Sequence, residues 1–199
     1  HVKHIIVGYD HHFGRNRTAN INDLKEFGAF YGFKVTEISA QEVGDVAVSS
    51  TKIRTALGDG AIKIANEFLG YNFIINGTVV KGKGLGKTIQ FPTANLKIEE
   101  PYKLIPKKGV YLVQAIIDTK LVYGMLNIGT NPTVSDANEL SVEVFFFDFN
   151  QTLYGTTLKI QFLDRIRDEI KFSGLEGLKS QLEQDQQAAF AKIALLTKN

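Results

Sequence analysis

The sequence predicts an α/β segment, then an antiparallel sheet or closed barrel, then one closing helix. Three observations predict it. Near the start, a short apolar run at His4–Gly8, an amphipathic stretch from Asn20 to Tyr31 and a second β-run at Val35–Ile38 read as β-α-β. From Tyr71 the texture changes to six consecutive β-runs, at 71–81, 93–98, 109–118, 121–128, 140–149 and 157–163, with Gly, Pro, Asn and Asp in the turns. Such runs with short connections favour antiparallel pairing. After Ser173 the apolar residues fall at helical spacing.

Composition narrows the class. The 199 residues are 44% hydrophobic and 22% charged, enough for one domain or two small ones with a proper core. A net charge of +2 is too small to argue for nucleic acid or an anionic membrane as the main partner. The absence of cysteine removes disulfides, zinc-thiolate sites and thiol catalysis, and fits a reducing compartment. No apolar run approaches the ~20 residues of a membrane span, and the first residues show no basic-then-apolar secretory pattern. A soluble, cytoplasmic protein is the expectation, with oligomeric state left open.

In chain order, His4–Gly8 reads as a buried parallel-type strand. It ends in the polar cluster Tyr9-Asp10-His11-His12-Phe13-Gly14, at the strand end where α/β sheets bind ligands. Ile21, Leu24, Phe27 and Tyr31 lie near helical spacing. A second helix begins within 47–54, with hydroxyls at Ser49, Ser50 and Thr51. Those hydroxyls have two readings, plain N-capping or, with Arg54, a grip on a triphosphate at a helix N-terminus. Roughly 60 residues cannot easily cover both faces of a parallel sheet, so this part is expected to lean on a neighbour or to be a piece of something larger. The neighbouring histidines are a poor metal site, because adjacent residues on a strand point to opposite faces. Gly60–Leu69 reads as a linking helix stopped by Gly70. Ser173 and Glu176 make a capping box for the last helix, whose stripe is Leu175, Leu178, Leu182, Ala189, Ile193 and Leu196.

Two features carry chemistry. Gly82, Gly84 and Gly86 alternate with Lys81, Lys83 and Lys87, and the loop closes on Phe91-Pro92-Thr93-Ala94-Asn95. Glycines let backbone N–H groups approach a polyanion and lysines supply charge beside them. The spacing is not that of a P-loop, and Pro92 stops any helix within a turn. The plainer alternative is a solvated hairpin. The second feature is Glu143, in a strand apolar on both faces, Ser141 to Phe147. A carboxylate there loses water, which favours the neutral acid unless it is paired; it is either a base or the partner of Arg165 or Arg167.

The string from Val79 to Leu96 resembles the glycine loop and P-T-A-N motif of riboflavin kinases, with Gln90 where that family usually has Gly. Ile105 to Tyr111 and Asn127 to Thr133 resemble its P-x-x-G-V-Y and N-I-G-x-N-P-T segments. Asp148 to Gly155 with Arg167-Asp168-Glu169 and Phe172 resembles the segment that lies over the flavin. Val48 to Arg54 resembles the I-S-S-T-x-I-R signature of bacterial bifunctional riboflavin kinase/FMN adenylyltransferases. Gly8 to Gly14 resembles their G-x-D-x-x-F-G, with His11 in place of an aromatic residue. Their H-x-G-H motif does not occur.

The resemblance implies a fragment of a Rossmann-like nucleotidyltransferase domain at 1–59, a linking helix at 60–70, and a six-stranded antiparallel barrel with its C-terminal helix at 71–199. It implies ATP-dependent phosphorylation of riboflavin to FMN. The ATP phosphates would be bound by Gly82, Lys83, Gly84, Gly86, Lys87, Thr93 and Asn95, and Mg²⁺ by Thr93 and Asn95. Glu143 would be the base, and Arg167, Glu169 and Phe172 the flavin clamp. Asp10, Ser49, Ser50, Thr51 and Arg54 would serve adenylylation to FAD in a longer parent, impaired here by the missing motif. The rival reading is a non-catalytic barrel that binds a ligand or an oligonucleotide.

Overall fold

The computed structural model describes residues 2–43, 46–82, 84–130 and 140–197, the side chains of Leu85 and Lys87 excepted. They form two compact units, one ending at Ser49 and the other starting at Ser50.

In the first unit, β1 (His4–Gly8) and β2 (Lys34–Ile38) pair in parallel, from His4 opposite Lys34 to Gly8 opposite Ile38. The helix α1 (Ile21–Tyr31) connects them. Asn20 caps it by accepting from the Asn22 N–H, while the Asp23 carboxylate accepts from the Asn20 N–H, and Gly32 ends it in the left-handed conformation. Leu24 and Val7 are buried, but Phe27 and Tyr31 of the expected stripe are exposed. A two-residue hairpin, β3 (Glu42–Val43) with β4 (Val46–Ala47), follows.

The second unit opens with α2 (Ser50–Asp59) and α3 (Ile62–Leu69), the latter closed by left-handed Gly70. Its six strands are β5 (Ile74–Val80), β6 (Ala94–Lys97), β7 (Gly109–Ile117), β8 (Lys120–Thr130), β9 (Leu140–Phe146) and β10 (Thr157–Arg167). They close into an antiparallel barrel in the order β10-β5-β6-β9-β8-β7. Closure removes the free edges that an open sheet of this size would present. One short helical turn, α4 (Leu85–Thr88), sits inside the glycine loop.

Strand alternation sorts the side chains. Val142, Val144 and Phe146 of β9 point inward with Ile75, Val79, Leu96, Leu126, Ile128 and Ile160. Leu57, Ile62 and Ala65 of α2 and α3 belong to that same core, so these helices are part of the barrel unit. Asn66 of α3 reinforces this: its amide donates to the Phe162 carbonyl at 2.8 Å and accepts from the Phe73 N–H at 2.7 Å. A second core forms on the barrel's outer surface from Ile89, Phe91, Val110, Leu112, Met125 and Phe147. The helix α5 (Leu175–Leu196) packs on it through Leu178, Leu182, Ala189 and Ile193. Leu175 and Leu196, the two ends of the expected stripe, are exposed.

The expected capping box at Ser173 and Glu176 does not form. Gly174 is the N-cap, in an extended conformation and with no side-chain hydrogen bond. The helix starts one residue later than the box requires, so Ser173 is out of reach of the N3 amide. Glu176 nonetheless lies in the first turn, where its charge meets the positive end of the helix dipole. Two ion pairs lock α5 to β10. Asp185, 2% exposed, takes Arg167 bidentately at 2.7–3.0 Å and also accepts from Gln181. Two turns further on, Lys192 meets Asp164, which is also approached by Lys63 of α3 at 3.2 Å.

Candidate active site

Barrel register builds the site. Asn95 of β6 lies opposite Glu143 of β9, and Glu143 lies opposite Asn127 of β8. Directly opposed residues keep their Cβ atoms about 5 Å apart, so three polar side chains form one row on the outer surface. The row continues to Val80 of β5 on one side and to Val110 and Arg167 on the other.

Glu143 accepts two hydrogen bonds, from Thr93 Oγ1 to Oε2 at 3.0 Å and from Ser141 Oγ to Oε1 at 3.0 Å. It is half-buried rather than buried, because its side of β9 opens on a cleft instead of a closed core. Neither arginine considered from the sequence pairs with it. Arg165 donates to the Lys108 carbonyl and to Asp168, each at 2.8 Å, and Arg167 is held by Asp185.

The cleft has a volume of about 930 Å³. Gly82, Gly84, Gly86, Thr93, Asn95 and Glu143 line it, with Ile98 and Ile105 among its apolar residues. Gly82 is needed for close approach: a Cβ there would overlap the Asn95 amide. Gln90 has φ of 68°, a left-handed conformation that costs a side-chain-bearing residue roughly 1 kcal/mol and costs glycine almost nothing. That conformation accounts for a glycine at this position in the family the loop resembles. Lys83 and the turn at Asn131-Pro132-Thr133 lie outside the described residues, as does the Lys87 side chain.

The other expected residues fall elsewhere. Arg167 faces the Phe172 ring at 6.0 Å while engaged with Asp185. The Thr130 N–H donates to Glu169 Oε1 at 3.3 Å, and a Cβ on Gly129 would come within 2.6 Å of the same oxygen. Asp10 follows β1 in the first unit, where Ser49 is the last residue; Ser50, Thr51 and Arg54 open α2 in the second. Near Arg165, burial raises the Tyr111 phenol above its ordinary value although the guanidinium works against it. Arg165 and Lys107 hold Asp168 below the usual carboxylate range. This cluster ties the 105–109 loop to the end of β10 and does not touch Glu143.

Ser141 and Asn127 are site residues that sequence reasoning passed over. A signal existed: Ser141 stands two positions before Glu143, hence on the same strand face. Asn127 has a cue only in the N-I-G-x-N-P-T resemblance, because its place beside Glu143 depends on the β8–β9 register. Among the described residues, no group of three or more His, Asp or Glu side chains could hold a metal, and no helix is long and apolar enough to cross a membrane. A second cleft of about 470 Å³, between the β7–β8 turn, residues 147–151 and α5, is lined by Asp148 to Gln151 of the segment that the resemblance puts over the flavin, but not by Arg167, Glu169 or Phe172.

Fold and site thus define a closed six-stranded barrel with a glycine loop over a threonine–glutamate pair. Comparison with known proteins agrees: residues 69–193 match the riboflavin kinase family and residues 1–52 match the FAD synthetase family. The chain belongs to the riboflavin kinase family. It is 41% identical over 196 residues to the bifunctional riboflavin kinase/FMN adenylyltransferase of Listeria monocytogenes, covering 97% of this chain and 62% of that protein. Against the protein of the same description from Escherichia coli K12, it is 38% identical over 189 residues, covering 94% and 59%. The chain therefore spans about three-fifths of the length of the curated relatives it matches. A solved structure described as a macrolide-efflux protein from Streptococcus pneumoniae superposes with a TM-score of 0.80 at 36% identity, over 92% of this chain and 59% of that one.

Proposed function

We propose that residues 71–199 phosphorylate riboflavin to FMN with ATP. The observation that carries this is the Thr93–Glu143 hydrogen bond in the cleft lined by Gly82, Gly84 and Gly86. It puts a carboxylate that can take a proton beside a hydroxyl that can ligate a cation, next to a loop suited to phosphates.

In this reading, the N–H groups around Gly82–Gly86 receive the ATP phosphates, and Lys83 and Lys87 neutralise them. The partly buried Ile98 and Ile105 supply apolar surface in the cleft for the adenine. Glu143 accepts the proton of the riboflavin 5′-hydroxyl as that oxygen bonds to the γ-phosphorus and the bond to the β-phosphate oxygen breaks, releasing ADP. The Thr93 hydroxyl and Asn95 amide oxygen form a hard, sparse oxygen set, which suits Mg²⁺ because that ion takes few protein ligands and completes its shell from water and phosphate. When bound, Mg²⁺ would offset charge on the phosphoryl oxygens. Glu169 and Phe172, with Arg167 behind them, would contact the flavin.

For residues 1–59, we propose that Asp10, Ser49, Ser50, Thr51 and Arg54 serve FMN adenylylation in a longer parent, and that this chain alone makes little FAD. The division proposed here, 1–59, a linking helix at 60–70 and 71–199, is one of function, whereas in packing α2 and α3 belong to the barrel unit. A cytoplasmic setting fits a cysteine-free enzyme of soluble substrates. The test is to incubate the chain with Mg-ATP and riboflavin and separate the flavins by chromatography. FMN without FAD is expected. No FMN from folded protein would sink the kinase reading, and abundant FAD would sink the impaired-adenylylation reading.

A further inference from the structure

Ser141 is a polar residue, 9% exposed, in a strand whose other inner and outer positions are mostly apolar. Its backbone is already paired opposite Gly129 in the β8–β9 ladder, so the side chain is not needed to satisfy the main chain. Its hydroxyl donates to Glu143 Oε1 at 3.0 Å, while the Thr93 hydroxyl donates to Oε2, also at 3.0 Å. The two carboxylate oxygens therefore have different neighbours, one inside the strand's own face and one across the cleft on the segment leading into β6. The terminal torsion of a glutamate is broad, so a carboxylate held through only one oxygen tilts over a wide range, whereas partners on both oxygens fix its plane.

We propose that Ser141 is a positioning residue for the phosphoryl transfer assigned above: by holding one carboxylate oxygen it fixes the plane of the Glu143 carboxylate, so that the other oxygen points beside Thr93 to the attacking hydroxyl. The inference rests on that assignment. In this role Ser141 acts through the orientation of Glu143, its hydroxyl being engaged by the carboxylate. Preorganised bases lose rate when their support is removed, because the productive geometry becomes one of several.

The test compares Ser141→Ala, Ser141→Thr and Glu143→Gln, singly and combined, by steady-state FMN formation, with thermal denaturation of each variant alongside. Ser141→Ala is expected to lower kcat about 10- to 100-fold, the range for losing one hydrogen bond to a charged group. KM for ATP and for riboflavin should stay close to the starting values. Ser141→Thr keeps the hydroxyl and should restore most of the rate. In the Glu143→Gln background, Ser141→Ala should cost nothing further, since its route of action is gone. The proposal is overturned if Ser141→Ala keeps its kcat per folded molecule, if Thr rescues no better than Ala, or if the Ala substitution slows the Glu143→Gln background as much as the parent. Absence of FMN from the unsubstituted chain would instead remove the kinase reading beneath it, so the two failures are distinguishable.

Discussion

The first unit leaves Ile6, Phe30 and Tyr31 62%, 81% and 70% exposed, whereas the barrel brings Ile75, Leu126, Ile128 and Ile160 to 0%. Both are built from short apolar strands and amphipathic helices. The difference is topological. Two parallel strands have two free edges and two faces, and one helix covers part of one face. Six strands closed on themselves have no edge, an interior that fills with side chains, and an outer surface that needs one helix, which α5 provides. Register is correspondingly over-determined in the barrel, and that is where the threonine–glutamate pair sits.

The contrast can be broken most forcefully by activity. Glu143→Gln should cut FMN formation by about 10²- to 10⁴-fold, the range for loss of a general base, with ATP binding by calorimetry retained. Asp10→Ala in the first unit should leave FMN formation unchanged; equal losses in the two variants would mean the units do not divide the labour. Next comes core stability. Leu126→Ala should destabilise by about 3 kcal/mol in denaturant unfolding, while Ile6→Ala, already exposed, should stay within about 0.5 kcal/mol.

Asp185→Asn should cost about 2 kcal/mol, since the guanidinium of Arg167 is left without its counter-charge; its partial exposure keeps the loss below that of a fully buried pair. A matching thermal shift with unchanged riboflavin KM would separate the lock on α5 from any flavin contact. Asp164 offers a pH signature. Burial would raise it, but Lys192, the Arg165 N–H and Lys63 outweigh burial and hold it below its ordinary value. Its folded value lies below its unfolded one, so its contribution is present above about pH 4 and is lost as the pH falls through the folded value. Asp164→Asn should therefore lower stability by about 1 kcal/mol at neutral pH and flatten the acid side of the stability profile. The smallest effect is a gain: Gln90→Gly should stabilise by about 0.5–1 kcal/mol by relieving its left-handed backbone.

Six strands, the parallel β-α-β start and the helix stopped by Gly70 were legible because each rests on a local pattern: alternation, helical spacing or a glycine terminator. The Thr93 and Glu143 pair was also legible, since each lies in a string with its own chemistry. Ser141 was half-legible, Asn127 only through the N-I-G-x-N-P-T resemblance, and Asp185 not at all. A lone aspartate among glutamines on a long helix reads as solvated surface, and its burial depends on Arg167 arriving from β10. The degree of burial of Glu143 was misjudged for a related reason. Flanking valines and phenylalanines describe the strand's neighbours in sequence, while the cleft beside it is made by the glycine loop and the 95–105 segment.

The row Val80–Asn95–Glu143–Asn127–Val110–Arg167 takes one residue from each of the six strands. Consequently, slipping the register of β9 by a single residue would turn Glu143 inward and bring a valine into its place, whereas lengthening the Asp118–Thr119 turn leaves the row untouched. Length variation and domain grafting are therefore tolerated at a tip remote from the site such as Asp118–Thr119 and not along the row, and a library built on this barrel should be diversified accordingly.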